Sequence, residues 1–109
     1  MYILINNKKL EIKEAITFEE RFLGLMGKKN ISYGMLFKKC NSIHTFFMKE
    51  NIDIIGLDKN NIVIYKYENL GKNRIIKVNN KINETSILEL PQGYSKFIEM
   101  NNKLIIKMD

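Results

Sequence analysis

Turn signals break this chain at short intervals and leave almost no room for helices. Asn6 and Asn7, the Lys49 to Asn51 triplet, the Asp58 to Asn61 quartet, Pro91 to Gly93, and Asn101 with Asn102 punctuate the apolar runs. Runs of roughly four to eight residues between such signals suit strands rather than helices. Residues 2–5, 8–16, 34–38, 42–48, 52–57, 62–67, 74–78, 87–90 and 103–108 are the expected strands. The first two form a hairpin about Asn6 and Asn7. The expected fold is mainly β (α+β): a compact β-sandwich or barrel of about eight or nine short strands. All of residues 1–109 are expected to form one domain, since a chain of this length buries one core without staples.

One helix is expected near residues 17–27. Thr17, Phe18, Glu19 and Glu20 fit a capping box, with a hydroxyl at the N-cap and a carboxylate three residues later. Phe18, Phe22, Leu25 and Met26 then fall on one apolar face at helical spacing. Gly24 lies inside this span, and Gly27 suits its stop. A short helical turn is expected near residues 94–100, turning Phe97, Ile98 and Met100 inward.

The 18 basic and 12 acidic residues leave a net charge of +6. Scattered lysine pairs with acids between them make no basic stripe, and no helix-turn-helix or RNP-like pattern appears. A specific nucleic-acid partner is therefore not expected. No apolar run is long enough for a membrane-spanning helix. Residues 1–10 carry no apolar signal-peptide core, and the single Cys40 cannot pair within the chain, so a cytoplasmic location is expected. Arg21 and Arg74 are the only arginines among those basic residues. A planar, forked guanidinium is not replaceable by an ammonium at a paired site, so both are read as doing geometric work.

The residues able to carry chemistry are few. His44, the only histidine, is a candidate base or ligand contact. Its bland reading is a structural imidazole bonded to backbone. Along a strand, Cys40 would lie about 13 Å from it, and the two are too few for zinc. Asp58 opens a turn that its side chain can cap. Asp53 sits mid-strand between Ile52 and Ile54, where a carboxylate needs a partner. Arg21 forking onto Asp53, or Arg74 doing so, would supply one. In strand alternation His44, Phe46 and Met48 share one face, and Ile43, Thr45 and Phe47 the other. Phe46, Met48, Met26 and Met35 either line an apolar pocket beside His44 or fill the core. No phosphate loop, nucleophile elbow, zinc helix or paired C-x-x-C occurs, so neither a cofactor nor a metal is expected.

Several of these segments recur in a familiar order. Arg21, Gly24, Leu25 and Met26 make an R-x-x-G-L-M signature. Gly34 to Phe37, Ser42 to Met48, Ile52 with Asp53, Leu57 with Asp58, and Leu88 to Gly93 follow it. Over residues 10–106 the chain resembles the small bacterial and archaeal family called domain of unknown function 192. Glu50 and Asn51 stand where that family often has Phe-Pro, and Phe47 where Gly or Trp is common. The resemblance implies a compact β-sandwich or barrel with a short helix, and no established activity. Members often carry a signal peptide or anchor, which is not visible here. Some are encoded beside pilus-assembly and secretion genes.

Two functions fit these residues. One is a non-catalytic binding or accessory module for a small ligand or protein partner, linked to pilus assembly or secretion, with His44, Arg21, Asp53, Phe46 and Met48 as its binding surface. The other is a small hydrolase-like enzyme acting on an anionic or sugar-like ligand, with His44 or Asp53 as base and Arg21 as anion holder. The two differ in whether His44, Arg21 and Asp53 converge, unpaired, in one pocket.

Overall fold

The computed structural model describes residues 1–109. Strands β1 (Tyr2–Ile5) and β2 (Lys8–Glu14) form the expected hairpin. Asn6 and Asn7 sit at φ 52° and 63°, the left-handed pair that a two-residue hairpin turn requires. β2 then runs parallel to β3 (Gly34–Phe37). Parallel neighbours need a crossover, and residues 15–33 supply it, carrying helix α1 (Phe18–Leu23) over one face of the sheet.

β4 (Ser42–His44) leaves this sheet, β5 (Ile52–Leu57) and β6 (Val63–Leu70) return to it, β7 (Ile75–Lys77) leaves again, and β8 (Ser86–Pro91) completes it. The resulting six-stranded order is β1-β2-β3-β8-β5-β6, with β4 and β7 paired as a separate small sheet. The segment after residue 100 touches both edges of the large sheet. Tyr2 and Lys107 exchange backbone bonds of 2.8 Å on β1, and Leu104 N–H reaches Asn61 C=O at 2.8 Å beside β6. The sheet therefore curls into a half-barrel. Mainly β, with eight strands, one helix and two short 3₁₀ turns, is the observed class.

β3, β5 and β8 are buried on both faces, which explains their near-continuous apolar sequences. Ile55, Leu57, Leu88 and Leu90 point into the curl with Ile3 and Ile12. Met35, Phe37, Ile54 and Ile87 face the other way, onto Leu25, Met26 and the small sheet's Ile43 and Ile76. Gly56 is what lets the layers meet: a Cβ there would lie 2.9 Å from Val78 Cγ1.

Several expectations are corrected. α1 ends at Leu23, not near residue 27, because Gly24 turns to φ 52°. With the helix so short, Phe18 and Phe22 never reach the core; they are 85% and 51% exposed, and only Leu25 and Met26 are buried. The strand over 42–48 stops at His44, which breaks the alternation, so Met48 is buried and Phe47 exposed. Residues 103–108 make single bridges rather than a ninth strand. Of Phe97, Ile98 and Met100, only Ile98 packs inward; Phe97 and Met100 stay out. No helix is long and apolar enough to cross a membrane.

Candidate functional site

Two acids stand in the otherwise apolar central strands, Asp53 in β5 and Glu89 in β8, and strand alternation sends them to opposite faces. Asp53 is 1% exposed. Its Oδ1 accepts the Asn69 N–H at 2.9 Å, and its Oδ2 accepts the N–H groups of Gly93 and Ser95 at 3.0 and 2.9 Å. It thus ties the end of β6 and the turn after β8 to β5. The expected fork from Arg21 or Arg74 does not form. Backbone amides fill the carboxylate, Arg21 bonds the Lys39 carbonyl at 3.4 Å, and Arg74 lies 5.6 Å over the Tyr67 ring. Asp58 caps its turn as expected, accepting from Asn60 and Ile62 N–H at 2.8 and 2.9 Å.

Glu89 is the counterpart on the other face. It is 4% exposed, and its one hydrogen bond from the protein comes from Leu25 N–H at 3.2 Å. Burial raises its carboxyl to about 7, with the Leu25 bond pulling weakly the other way. The close passage of α1 over β8 depends on Gly24. A Cβ at that position would lie 2.8 Å from Glu89 Oε1 and 3.0 Å from Phe37 Cζ, at a φ that disfavours any side chain.

Beside this crossing is a cleft of about 70 Å³. Glu89, Gly24 and Phe37 line it together with Arg21, Cys40 and His44. The chain's lone histidine, its lone cysteine and one of its two arginines therefore meet at one buried acid. Lys39, whose carbonyl receives Arg21, holds φ 50°, the only left-handed residue that is neither Asn nor Gly. Such a conformation persists only where its surroundings over-determine it. Burial pushes the Cys40 thiol up, the Arg21 charge opposes this, and the Glu89 charge adds to it. The thiol donates to Ser42 C=O at 3.2 Å.

His44 lies where β4 leaves the cleft. Its ring meets the Phe22 ring edge-on at 5.6 Å and stacks on Phe46 at 4.9 Å. Phe18 stacks on Phe22 at 6.2 Å. The backbone bond expected of a structural histidine is absent: Nδ1 is buried without a partner. Across the small sheet His44 pairs with Ile75, which is exposed. A row of rings, exposed at Phe18, Phe22 and Phe46, thus runs from α1 across β4 and ends beside the cleft.

Of the expected surface residues, Arg21 and His44 line the cleft and Phe46 flanks it. Asp53 lies elsewhere, and Met48, with Met26 and Met35, is core. Glu89 was missed, although its signal was the one that singled out Asp53: an acid between Leu88 and Leu90 in an apolar run. No three His, Cys, Asp or Glu side chains group as a metal-ligand set.

The profile of the DUF192 family, described as Uncharacterized ACR, matches residues 1–106. UPF0127 protein TK1120 of Thermococcus kodakarensis is 42% identical over 60 residues, covering 50% of this chain and 38% of that protein. A UPF0127 protein of Thermococcus sibiricus is 40% identical over 73 residues, covering 57% and 47%. The match thus spans less than half the length of these curated relatives. Two crystal structures share the fold. One, from Sinorhizobium meliloti 1021 and described as a "putative transcription regulator", has a TM-score of 0.76 at 18% identity, covering 95% of this chain and 89% of that one. The other, a protein of unknown function from Novosphingobium aromaticivorans, has a TM-score of 0.77 at 16% identity, covering 96% and 82%. At these identities the likeness is one of fold.

Proposed function

We propose that this chain, which belongs to the DUF192 family, is a non-catalytic binding module that docks a peptide segment of a partner across the ring row of α1 and β4. The observation that carries the reading is that row: the rings of Phe18, Phe22 and Phe46 are exposed, and the half-buried His44 ring packs between Phe22 and Phe46. A contiguous apolar patch of this kind marks an interaction surface, because leaving it in water forgoes burial. Leu23 and Ile75 are exposed too, so aliphatic groups accompany the rings and favour apolar side chains as the occupant.

Charge narrows the partner. The chain carries +6, and Arg21 and Lys77 stand on α1 and the small sheet beside the rings. A second copy would bring the same sign of charge, whereas an acidic segment with apolar anchors complements it. We place the partner among pilus-assembly or secretion components, on the gene neighbourhoods of the resembling family alone.

The hydrolase reading loses Asp53, whose oxygens are occupied by backbone. Glu89 could stand in as a general acid, since it titrates near neutrality. A protein nucleophile does not accompany it, because the Cys40 thiol is pushed up rather than down and stays protonated. The binding module is therefore the better reading.

A random-peptide display selection against this chain, counter-selected on a variant carrying both Phe22→Ser and Phe46→Ser, tests it. The reading expects enriched peptides with apolar anchors and acidic flanks that lose at least tenfold in affinity on the double variant. No enrichment, or equal affinity for the two proteins, would overturn it.

A further inference from the structure

The cleft at the end of the ring row is built around an acid that the fold leaves half satisfied. Glu89 is walled in by Gly24 and Phe37 and takes one hydrogen bond from the protein. No basic side chain offsets its burial. Arg21 lines the same cleft, and of its five N–H donors one makes a single long bond, to Lys39 C=O. The Cys40 thiol lines the same cleft and feels both charges. The cleft therefore offers an acceptor at its closed side and unspent donors at its open side, with phenyl walls between.

Those properties select a ligand group. The volume of about 70 Å³ holds the end of one side chain and no more. An apolar tip would leave Glu89 buried with its free oxygen unpaired. A carboxylate suits Arg21 but meets like charge once Glu89 ionises, and an ammonium suits Glu89 but meets the guanidinium. A primary carboxamide carries a donor and an acceptor on one planar group without net charge.

Resting on the peptide-docking reading above, we propose that the Glu89 cleft is a carboxamide socket. An asparagine or glutamine of the bound peptide donates its N–H to the Glu89 carboxyl and accepts an Arg21 N–H at its carbonyl. The ring row then holds the apolar neighbours of that residue.

The Leu25 amide is a built-in reporter, since its N–H donates to Glu89. In amide-proton NMR at pH 8, propionamide is expected to shift the Leu25 and Gly24 signals saturably. Propionate, n-propylammonium and glucose, added alike, are expected to leave them in place. Glu89→Gln removes the charge from the acceptor and is expected to weaken propionamide about tenfold. Arg21→Gln, an exposed substitution, keeps the fold testable and is expected to weaken it as well. A socket with no response to propionamide, or one that answers propionate, propylammonium or glucose as strongly, overturns the proposal. A variant carrying Phe18→Ser and Phe46→Ser separates this from peptide docking. It abolishes peptide binding while sparing the propionamide response if both readings hold, and the propionamide response stands or falls without the ring row.

Discussion

At the scale of single residues, two buried acids with the same sequence signature turn out to have opposite relations to the fold. Asp53 is spent on structure. Asp53→Ala leaves three amides without their acceptor, and a loss of about 3 kcal/mol in denaturant unfolding is expected. Asp53→Asn is expected to lose a large part of that, because its NH₂ would face N–H donors. Glu89 is held but not satisfied. Gly24→Ala is expected to cost about 2 kcal/mol or more, from its left-handed φ and from pressing on Glu89, and to displace the Leu25 amide signal. That Asp53 needed a partner was legible from Ile52 and Ile54 on either side. The partner's identity was not, because the amides come from 16, 40 and 42 residues away. Glu89, between Leu88 and Leu90, carries the same signal and forms the cleft's floor.

At the scale of elements, local chemistry was legible and coverage was not. The Thr17 capping box forms with both reciprocal bonds, Glu20 N–H to Thr17 Oγ1 at 3.1 Å and Thr17 N–H to Glu20 Oε1 at 3.0 Å. The two N–H groups that Glu20 accepts hold its carboxyl below the usual range. Thr17→Ala is expected to lower stability by about 1 kcal/mol, read from the thermal midpoint. Helical spacing correctly set Phe18 and Phe22 on one side of α1, but periodicity does not say what covers that side. Here nothing does, so a face expected in the core is exposed and becomes the proposed docking face. The small sheet hangs on Thr45, whose hydroxyl donates to Gly71 C=O at 2.7 Å and accepts Arg74 N–H at 3.0 Å while fully buried. Thr45→Val, equal in shape, is expected to cost about 2 kcal/mol and to speed amide exchange in β4 and β7. Because β4 carries His44, the same substitution is expected to loosen the ring row.

At the scale of the whole molecule, the turn punctuation sufficed for the class and for most strands. It did not convey the parallel pairing of β2 with β3, which depends on contacts across a crossover. Nor did it show that the 103–108 segment would bridge two edges instead of adding a strand. That closure curls the sheet, while the β2–β3 crossover lays α1 over β8, where Gly24 packs on Glu89 and buries it. The consequence is a stability that depends on pH. Glu89 titrates near 4.5 when unfolded and at about 7 when folded, so between these values the folded state binds more protons. Stability must then fall as pH rises from about 4.5 to 7 and level off above, by roughly 3 kcal/mol from this group. Glu89→Gln removes the titration and keeps an acceptor for Leu25. Urea unfolding of both proteins from pH 4.5 to pH 8.5 isolates the effect, since other titrating groups cancel in the difference. The Gln variant is expected to gain on the wild type steadily up to about pH 7 and to hold that gain beyond. Parallel stability curves across the whole range would show Glu89 solvated as an ordinary surface acid, and the cleft built on it would not stand.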